Sequence, residues 1–303
     1  FYMTTEINRH LGATSQYVDT YDPTLLVREP RQRNRDRLGI TNDNLPFIGY
    51  DTWNGYEVTA LTDNGLPVQM IVKFVYPAHS EFIVESKSVK LYFGSFAMQR
   101  LGYTPDDVIS RLQETAKYDL SKLLETEVKV GVWNASDQDY WDLSFNALYD
   151  WSIDYDTLEN TVDCSSIQFT DYSENTDLLE VKEYSRSGES LYHSSLLRSR
   201  CLVTKQPDSG DVFIKYTGKK HVTPESLLKY IVSFRNECHF HEEICEAIYT
   251  ALWNKLDPEE LSVKCLYARR GSWDICPQRV SDCTLLDNNL ADHYQVHSKT
   301  PRQ

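Results

Sequence analysis

No two glycines in this chain are spaced Gly-x-Gly, so the fingerprint of a dinucleotide-binding βαβ unit is missing, as is a glycine-rich phosphate loop. Neither Gly-x-Ser-x-Gly nor His-Glu-x-x-His occurs, which removes the nucleophile elbow and the zincin helix. The seven cysteines are odd in number and hold no Cys-x-x-Cys pair. That argues against a disulfide scaffold and for a reducing compartment, the cytoplasm by default. No apolar run approaches the roughly 18 residues a membrane helix needs. No basic stretch followed by an apolar one opens the sequence, so neither a membrane span nor a signal peptide is expected. Positive charge is scarce: 31 Lys and Arg face 45 Asp and Glu, a net charge of −14. A field of that sign opposes binding to nucleic acid or anionic lipid, and any phosphate-bearing ligand needs a local basic cluster.

What is present suits a folded protein. Of 303 residues, 41% are hydrophobic and 12% aromatic, with 20 Tyr, which supplies ample core material. The length suits two domains or one large one. Residues 1–50 are polar and aperiodic, and the run Arg31, Arg33, Arg35, Arg37 reads as a solvated loop rather than a phosphate site. Tyr56 to Leu61 is strand-like and leads into the turn signal Asp63-Asn64-Gly65. Val68, Met70, Val72, Phe74 and Tyr76 then recur at every second position, as a strand requires. Phe82 to Phe93 reads as a third strand. Thr104-Pro105-Asp106 has the hydroxyl cap, early proline and first-turn acid of a helix start, and Val108, Leu112, Ala116 and Leu120 mark its apolar face. Glu127 to Trp133 is a further short strand. Residues 150–183 carry ten acidic residues and one Lys, a connection at a domain boundary with a strand near its end.

Beyond it the pattern resumes. Cys201 to Thr204 and Val212 to Tyr216 read as extended, around a turn at Pro207-Asp208-Ser209-Gly210. Thr223-Pro224-Glu225 opens a second capped helix, Glu242 to Trp253 reads as a third, and Ser262 to Tyr267 is strand-like. Thr104-Pro105-Asp106 matches Thr223-Pro224-Glu225, and Glu127-Val128-Lys129-Val130 matches Ser262-Val263-Lys264-Cys265. Helix start and strand lie 24 residues apart in the first half (Thr104 to Val128) and 40 in the second (Thr223 to Val263). The weak repeat predicts two related halves, 1–150 and 151–303. Hairpins with helices between them imply antiparallel sheets, hence an α+β fold.

Several short segments can carry chemistry. Cys201 has Arg198 and Arg200 nearby, and cations stabilise a thiolate. The turn at Pro207 can fold Asp208 back over the strand, so that a thiol and a carboxylic acid suit covalent addition with proton delivery. The plainer readings are a small buried residue and a turn aspartate bonding its own backbone. Cys238-His239-Phe240-His241-Glu242-Glu243-Ile244-Cys245 places two Cys and two His within eight residues. Across a helix start the two histidines would diverge, a poor zinc geometry. His241 and Glu242 suit proton transfer or ligand hydrogen bonding; a polar helix cap is the alternative. In Glu85-Ser86-Lys87-Ser88-Val89-Lys90, strand alternation would put Glu85, Lys87 and Val89 on one face. Hydroxyls and Lys there can bind phosphate, or Lys can simply guard an edge. Arg269-Arg270-Gly271 lets backbone approach an anion that a guanidinium grips.

Taken in order, Val84-Glu85-Ser86-Lys87-Ser88, Cys201 to Asp208, Val232-Ser-Phe-Arg, Phe240-His241-Glu242 and Arg269-Arg270-Gly271 with Trp273-Asp274-Ile275 resemble the NADPH-dependent 7-cyano-7-deazaguanine reductases. These are the nitrile reductases of queuosine biosynthesis, and the length and two-half layout match their long, bimodular branch. The N-terminal segments Asp19-Thr-Tyr-Asp22, Asn34-Arg-Asp36 and Asn44-Leu-Pro-Phe47 extend the match. The resemblance implies the tunnelling fold, an antiparallel sheet with helices on one face, present twice per chain, and a homodimer. It implies that Cys201 attacks the nitrile carbon to give a thioimide and that Asp208 protonates nitrogen. It assigns Val84, Glu85, Ser86, His241 and Glu242 to the deazaguanine, with Phe240 a stacking surface. Ser86, Lys87, Arg270 and Gly271 would contact NADPH, consumed twice per 7-aminomethyl-7-deazaguanine formed. No metal, nucleic acid or membrane is expected as a partner. The sequence departs from the family at Ser272 and Cys276, in a turn where the family often has Gly-Gly-x-Asp-Ile-Asn-Pro. Cys164, Cys245, Cys265 and Cys283 read as structural. Two other functions use similar residues: a zinc-dependent pterin or purine cyclohydrolase of the same fold, and a non-catalytic purine-binding protein.

Overall fold

The computed structural model describes residues 18–146, 154–202 and 204–303. The expected boundary at 150/151 lies outside them. The strands are β1 (Arg28–Pro30), β2 (Ile48–Leu61), β3 (Pro67–Pro77), β4 (Phe82–Val84), β5 (Lys129–Asn134), β6 (Asp156–Thr157), β7 (Val181–Arg200), β8 (Pro207–Val222), β9 (Glu260–Tyr267) and β10 (Trp273–Val280). The helices are α1 (Gln32–Leu38), α2 (Ser86–Gly94), α3 (Pro105–Leu124), α4 (Gln138–Asn146), α5 (Leu158–Thr161), α6 (Pro224–Ser233), α7 (His241–Leu256) and α8 (Asn288–Ala291). One eight-stranded sheet runs β5-β3-β2-β10-β9-β8-β7-β6, antiparallel except for the short β6–β7 pair. The α+β class is as expected, but the sheet is continuous rather than two separate ones, because β10 pairs with β2 from Trp273↔Gly55 to Val280↔Ile48.

Register fixes the two faces. Trp53 lies opposite Phe74 on one side and Ile275 on the other. All three side chains enter one core with Leu112 and Leu120 of α3 and Phe93 of α2. Further along the sheet, Val212, Ile214, Val263 and Cys265 form a second core with Leu227 of α6 and Ile248 of α7. The longer helices therefore share one face. Alternate residues point the other way. There Thr52 Oγ1 donates to the Leu290 carbonyl at 2.9 Å. Lys73 Nζ donates to the carbonyls of Asn289, Asp292 and Gln295 at 2.6, 2.7 and 2.8 Å. Residues 281–303 thus cross the second face on contacts that a buried strand lysine makes possible.

The capped helices form as their sequences demand. Thr104 and Asp107 complete a reciprocal capping box, and the Thr223 hydroxyl accepts from Ser226 N. Three local expectations fail. The segment Phe82–Phe93 is a strand only to Val84. The Glu85 carboxylate then accepts from the Lys87 and Ser88 amides and starts α2, which buries Val89, Tyr92 and Phe93 at helical spacing. The arginine run is no solvated loop: it forms α1, with Arg31 and Arg35 buried. Nor are Cys201, Leu202 and Thr204 part of a strand. The chain turns there, closed by Cys201 N to Gln206 O at 2.8 Å and Lys205 N to Cys201 O at 3.1 Å, with Lys205 at φ +57°. Pro207-Asp208-Ser209-Gly210 consequently opens β8, and Asp208 pairs with Ser199.

The sheet junction tolerates no added atom at Gly49. A Cβ there would lie 2.0 Å from the Gln278 carbonyl oxygen. Gly49→Ala should therefore part β2 from β10 and cost about 2–3 kcal/mol in urea unfolding. Stability equal to wild type would show that the strands separate freely.

Candidate active site

The candidate site is a cavity of about 150 Å³ where the ends of both groups of elements meet. The start of α2 supplies Glu85, Ser86, Lys87 and Lys90; the β7–β8 turn supplies Cys201, Leu202 and Thr204, and the start of β8 adds Asp208; the start of α7 supplies His239 to Glu242. The β9–β10 turn adds Ala268 and Arg270, and Trp53, Trp273 and Ile275 line the remaining wall. Of the residues singled out in the sequence, Glu85, Ser86, Lys87, Cys201, Asp208, Phe240, His241, Glu242 and Arg270 come together here. Val84 does not; it is buried in the core under α2. Gly271 sits beside Arg270 in the β9–β10 turn, outside the cavity lining.

Asp208 is 5% exposed and held from two sides. Arg270 Nη1 donates to its Oδ1, and His241 Nε2 lies 3.4 Å from its Oδ2. Burial pushes its carboxyl up, yet His241 and Arg270 outweigh that and leave it below the usual range. His241 stacks flat on Tyr267, ring centroids 3.8 Å apart, and its Nδ1 is buried with no hydrogen-bond partner. A buried ring nitrogen of that kind calls for a hydrogen-bond partner, which a bound ligand or a water can supply.

Glu242 behaves differently. Burial, with the Asp51 carboxylate adding repulsion, raises it to about 8. Tyr76 Oη donates to its Oε1 at 3.3 Å. Glu85 spends two acceptor positions on the Lys87 and Ser88 amides, at 2.9 and 2.7 Å, and a carboxylate has further lone pairs to offer. Lys90 is lowered by burial and by the neighbouring Arg270. Sequence reasoning missed Lys90 because the segment was read as a strand. On α2 it stands one helical turn beyond Ser86, on the same side.

Against known families, residues 17–132 match a model described as nitrile reductase, 7-cyano-7-deazaguanine-reductase N-term, and residues 207–283 match the QueF-like protein model. The NADPH-dependent 7-cyano-7-deazaguanine reductase of Rickettsia bellii is 42% identical over 275 residues, 91% of this chain and 93% of its own length. This chain belongs to the 7-cyano-7-deazaguanine reductase family. The enzyme of that name from Rickettsia canadensis is 39% identical over 274 residues, 90% of this chain and 92% of its own length. A solved structure, archaeosine synthase QueF-Like in the apo form, is 19% identical, covers 30% of this chain and 91% of its own, and gives a TM-score of 0.26, too slight a likeness to describe this fold.

Within this reductase-family chain the zinc arrangement suggested by Cys238 to Cys245 does not assemble. The Cys245 thiol points at the Val263 and Pro277 carbonyls, and His239 is held between Glu237 and Glu243, each at 3.2 Å. The metal-type cluster that does form among the described residues is Asp274, Cys276 and His297, on the other face of β10. Its charge is met from within: Lys299 Nζ stands 3.4 Å from His297 Nε2 and 3.7 Å from Asp274 Oδ2.

The raised Glu242 carboxyl makes stability fall with pH. Between the ordinary carboxyl value near 4.5 and about 8 the folded chain keeps a proton that the unfolded chain has released, so each unit of pH disfavours folding until about 8. Glu242→Gln removes that penalty. Its melting temperature relative to wild type should climb from pH 5 to pH 8 and then level off; a constant difference across the range would contradict a buried, protonated Glu242.

Proposed function

We propose that the chain reduces the nitrile of 7-cyano-7-deazaguanine to a primary amine through a covalent adduct on Cys201. The observation that carries this reading is the convergence of a partly exposed thiol, an aspartate held by Arg270 and His241, and two buried glutamates on one small cavity. A nitrile accepts hydride poorly. Addition of the Cys201 sulfur to the nitrile carbon forms an S–C bond and opens one C–N π bond. The thiol proton passes to the Asp208 carboxylate and from there to nitrogen, leaving a thioimide. An ionised Asp208 suits the first half of that transfer, and contact with the incoming nitrogen drives the second.

NADPH, when bound, supplies one hydride to each of the two successive C–N reductions, four electrons in all. After the first, the S–C bond breaks and sulfur departs with its electron pair, restoring Cys201. The residues present suit such a cofactor. Lys87, Lys90 and Arg270 gather cations at one mouth of a chain whose net charge is −14. Gly271, at φ +55°, leaves backbone room beside them. Ser86 and Gly271 complete the cofactor contacts of this reading.

Glu85 and Glu242 accept hydrogen bonds from the ring N–H and amino groups of the deazaguanine, while Phe240 offers its ring face. A base lacking those donors would leave buried carboxylates unpaired, which enforces selectivity. Val84 contributes through its backbone position ahead of Glu85. Ionised, Glu242 accepts at both oxygens, so a base that offers it two donors binds with release of a proton below about pH 8. By the same resemblance the chain works as a homodimer in the pathway to queuosine; its cysteine usage points to the cytoplasm, and its weak repeat divides it into halves at 150/151. Among the described residues no helix is long and apolar enough to cross a membrane.

Intact-mass spectrometry tests the chemistry directly. Incubation with 7-cyano-7-deazaguanine and no NADPH should add the full ligand mass, and Cys201→Ala should bind the nitrile without that shift and turn over no NADPH. An adduct that survives Cys201→Ala would move the nucleophile elsewhere. Asp208→Asn should lower NADPH oxidation by about 10²–10⁴-fold; activity near wild type would remove Asp208 from the proton path.

A further inference from the structure

The β9–β10 turn that carries Arg270 is braced from behind by a segment with no motif of its own. Arg270 N donates to Trp273 O at 2.9 Å and Trp273 N to Arg270 O at 3.2 Å, closing a two-residue hairpin turn. Gly271 and Ser272 both take positive φ, +55° and +66°, the type I′ geometry. Such a turn sets where the Arg270 guanidinium points, provided its base does not rock.

Four contacts at that base involve one tyrosine. Tyr56 N donates to Ser272 O at 3.0 Å. The Arg269 guanidinium lies 3.5 Å over the Tyr56 ring. The Tyr56 hydroxyl donates to Asp274 Oδ2 at 2.6 Å and receives a hydrogen bond from Lys299 Nζ at 2.7 Å. The same segment grips the turn's other side. Arg269 N reaches Arg302 O at 3.4 Å, and Arg302 Nη2 binds Asp211 Oδ2 at 2.6 Å and the Gly210 carbonyl at 2.8 Å, next to the start of β8. Lys299 is thus the cation that holds Tyr56 and Asp274 together, and Arg302 ties the strand bearing Asp208 to the backbone of Arg269.

We infer that Lys299 and Arg302 are positioning residues for cofactor binding, acting through Tyr56 and the Arg269–Trp273 turn. Neither lines the cavity. Outside their own segment, their contacts fall on Tyr56, on Asp274 of β10, on Arg269 and on the β7–β8 pair at Ser195, Gly210 and Asp211, not on the Cys201 turn or the start of α7. The expected signature is therefore split: the nicotinamide cofactor is held less well, while the deazaguanine, met by Glu85, Phe240 and Glu242, is held as before. The inference rests on the proposed contact of Arg270 with NADPH.

The test uses the full chain. Lys299→Met and Arg302→Ala should each raise the KM for NADPH by about tenfold, since small displacements of a binding group cost at least that much. The Kd for 7-cyano-7-deazaguanine without NADPH, measured for each variant on a Cys201→Ala background so that no adduct forms, should stay within about twofold of the Cys201→Ala value. Lys299→Arg, which keeps the charge and reach, should restore the NADPH KM. If Lys299→Met fails to fold, Tyr56→Phe keeps the ring under Arg269, removes only the hydroxyl link, and should show the same split. An unchanged NADPH KM in these variants, or a nitrile Kd that weakens as much as the NADPH KM, would overturn the inference. Arg270→Ala, run in parallel, separates the two levels. If it leaves the NADPH KM untouched, the cofactor assignment itself is wrong; if it raises KM while the Lys299, Arg302 and Tyr56 variants do not, only the brace is wrong.

Discussion

Arg31, Arg35 and Arg279 meet Asp51 and Glu246 in a space closed to water, where α1, β2, β10 and α7 come together. Glu246 receives both Arg35, at 2.7 Å, and Arg279, at 3.0 Å, while Arg279 also reaches Asp51 at 2.8 Å. Taking five charges out of water is expensive, and such a cluster adds little net stability over a well-packed apolar one. Removing one member is another matter, because it strands an uncompensated charge at about 3–5 kcal/mol. What the cluster supplies is geometry. Glu246 lies one helical turn beyond Glu242, so guanidiniums that fix Glu246 also fix the rotation of α7 about its axis. Rotation of α7 decides whether His241 and Glu242 face the cavity. The alignment of the deazaguanine pocket therefore depends on arginines that never touch it.

The same cluster explains why Glu242 and Asp208, both carboxyls in one cavity, behave oppositely. Asp208 has Arg270 and His241 within contact and stays ionised despite its burial. Glu242 lies behind the sheet end, with the arginines already committed to Asp51 and Glu246 and only a tyrosine hydroxyl at hand. Burial then prevails and the proton stays on. Two carboxyls set apart by their surroundings can serve different tasks, one moving a proton and the other reading a base.

Local signals carried much of this into the sequence. Alternation marked β3, hydroxyl-plus-proline caps marked α3 and α6, and the reactive residues of the cavity fell within four short segments. What failed were segments whose state depends on distant partners. Arg35 looks like a solvated charge until Glu246, 211 positions away, is placed beside it. Phe82 to Phe93 carries enough apolar residues to fit either period, and the Glu85 cap decides for a helix after Val84. The Pro207 turn signal was outbid by the pairing of Ser199 with Asp208, which moved the reversal to Cys201–Gln206. That shift matters chemically: Cys201 sits in a turn and Asp208 on a strand, rather than the reverse. Lys299 and Arg302 left no sequence signal at all, since their meaning lies in Tyr56 and Asp211.

Ser272 shows how such non-local support feeds back on sequence choice. A left-handed non-glycine residue costs about 1–2 kcal/mol, which is why the family's second glycine is the natural occupant. Here the serine carbonyl is caught by Tyr56 N, and the turn is closed on both strands by Arg270 and Trp273. A turn so tied can hold a serine in a conformation it would not choose alone. Cys276, the neighbouring departure, is buried on the opposite face, accepting from Gln303 Nε2 at 3.0 Å and lying 3.6 Å from His297 Nε2. Both departures thus fall where segment 297–303 and β2 grip the turn from behind, and neither places a side chain in the cavity. The two departures therefore lie in the bracing of the cation-bearing turn and away from the residues that line the cavity.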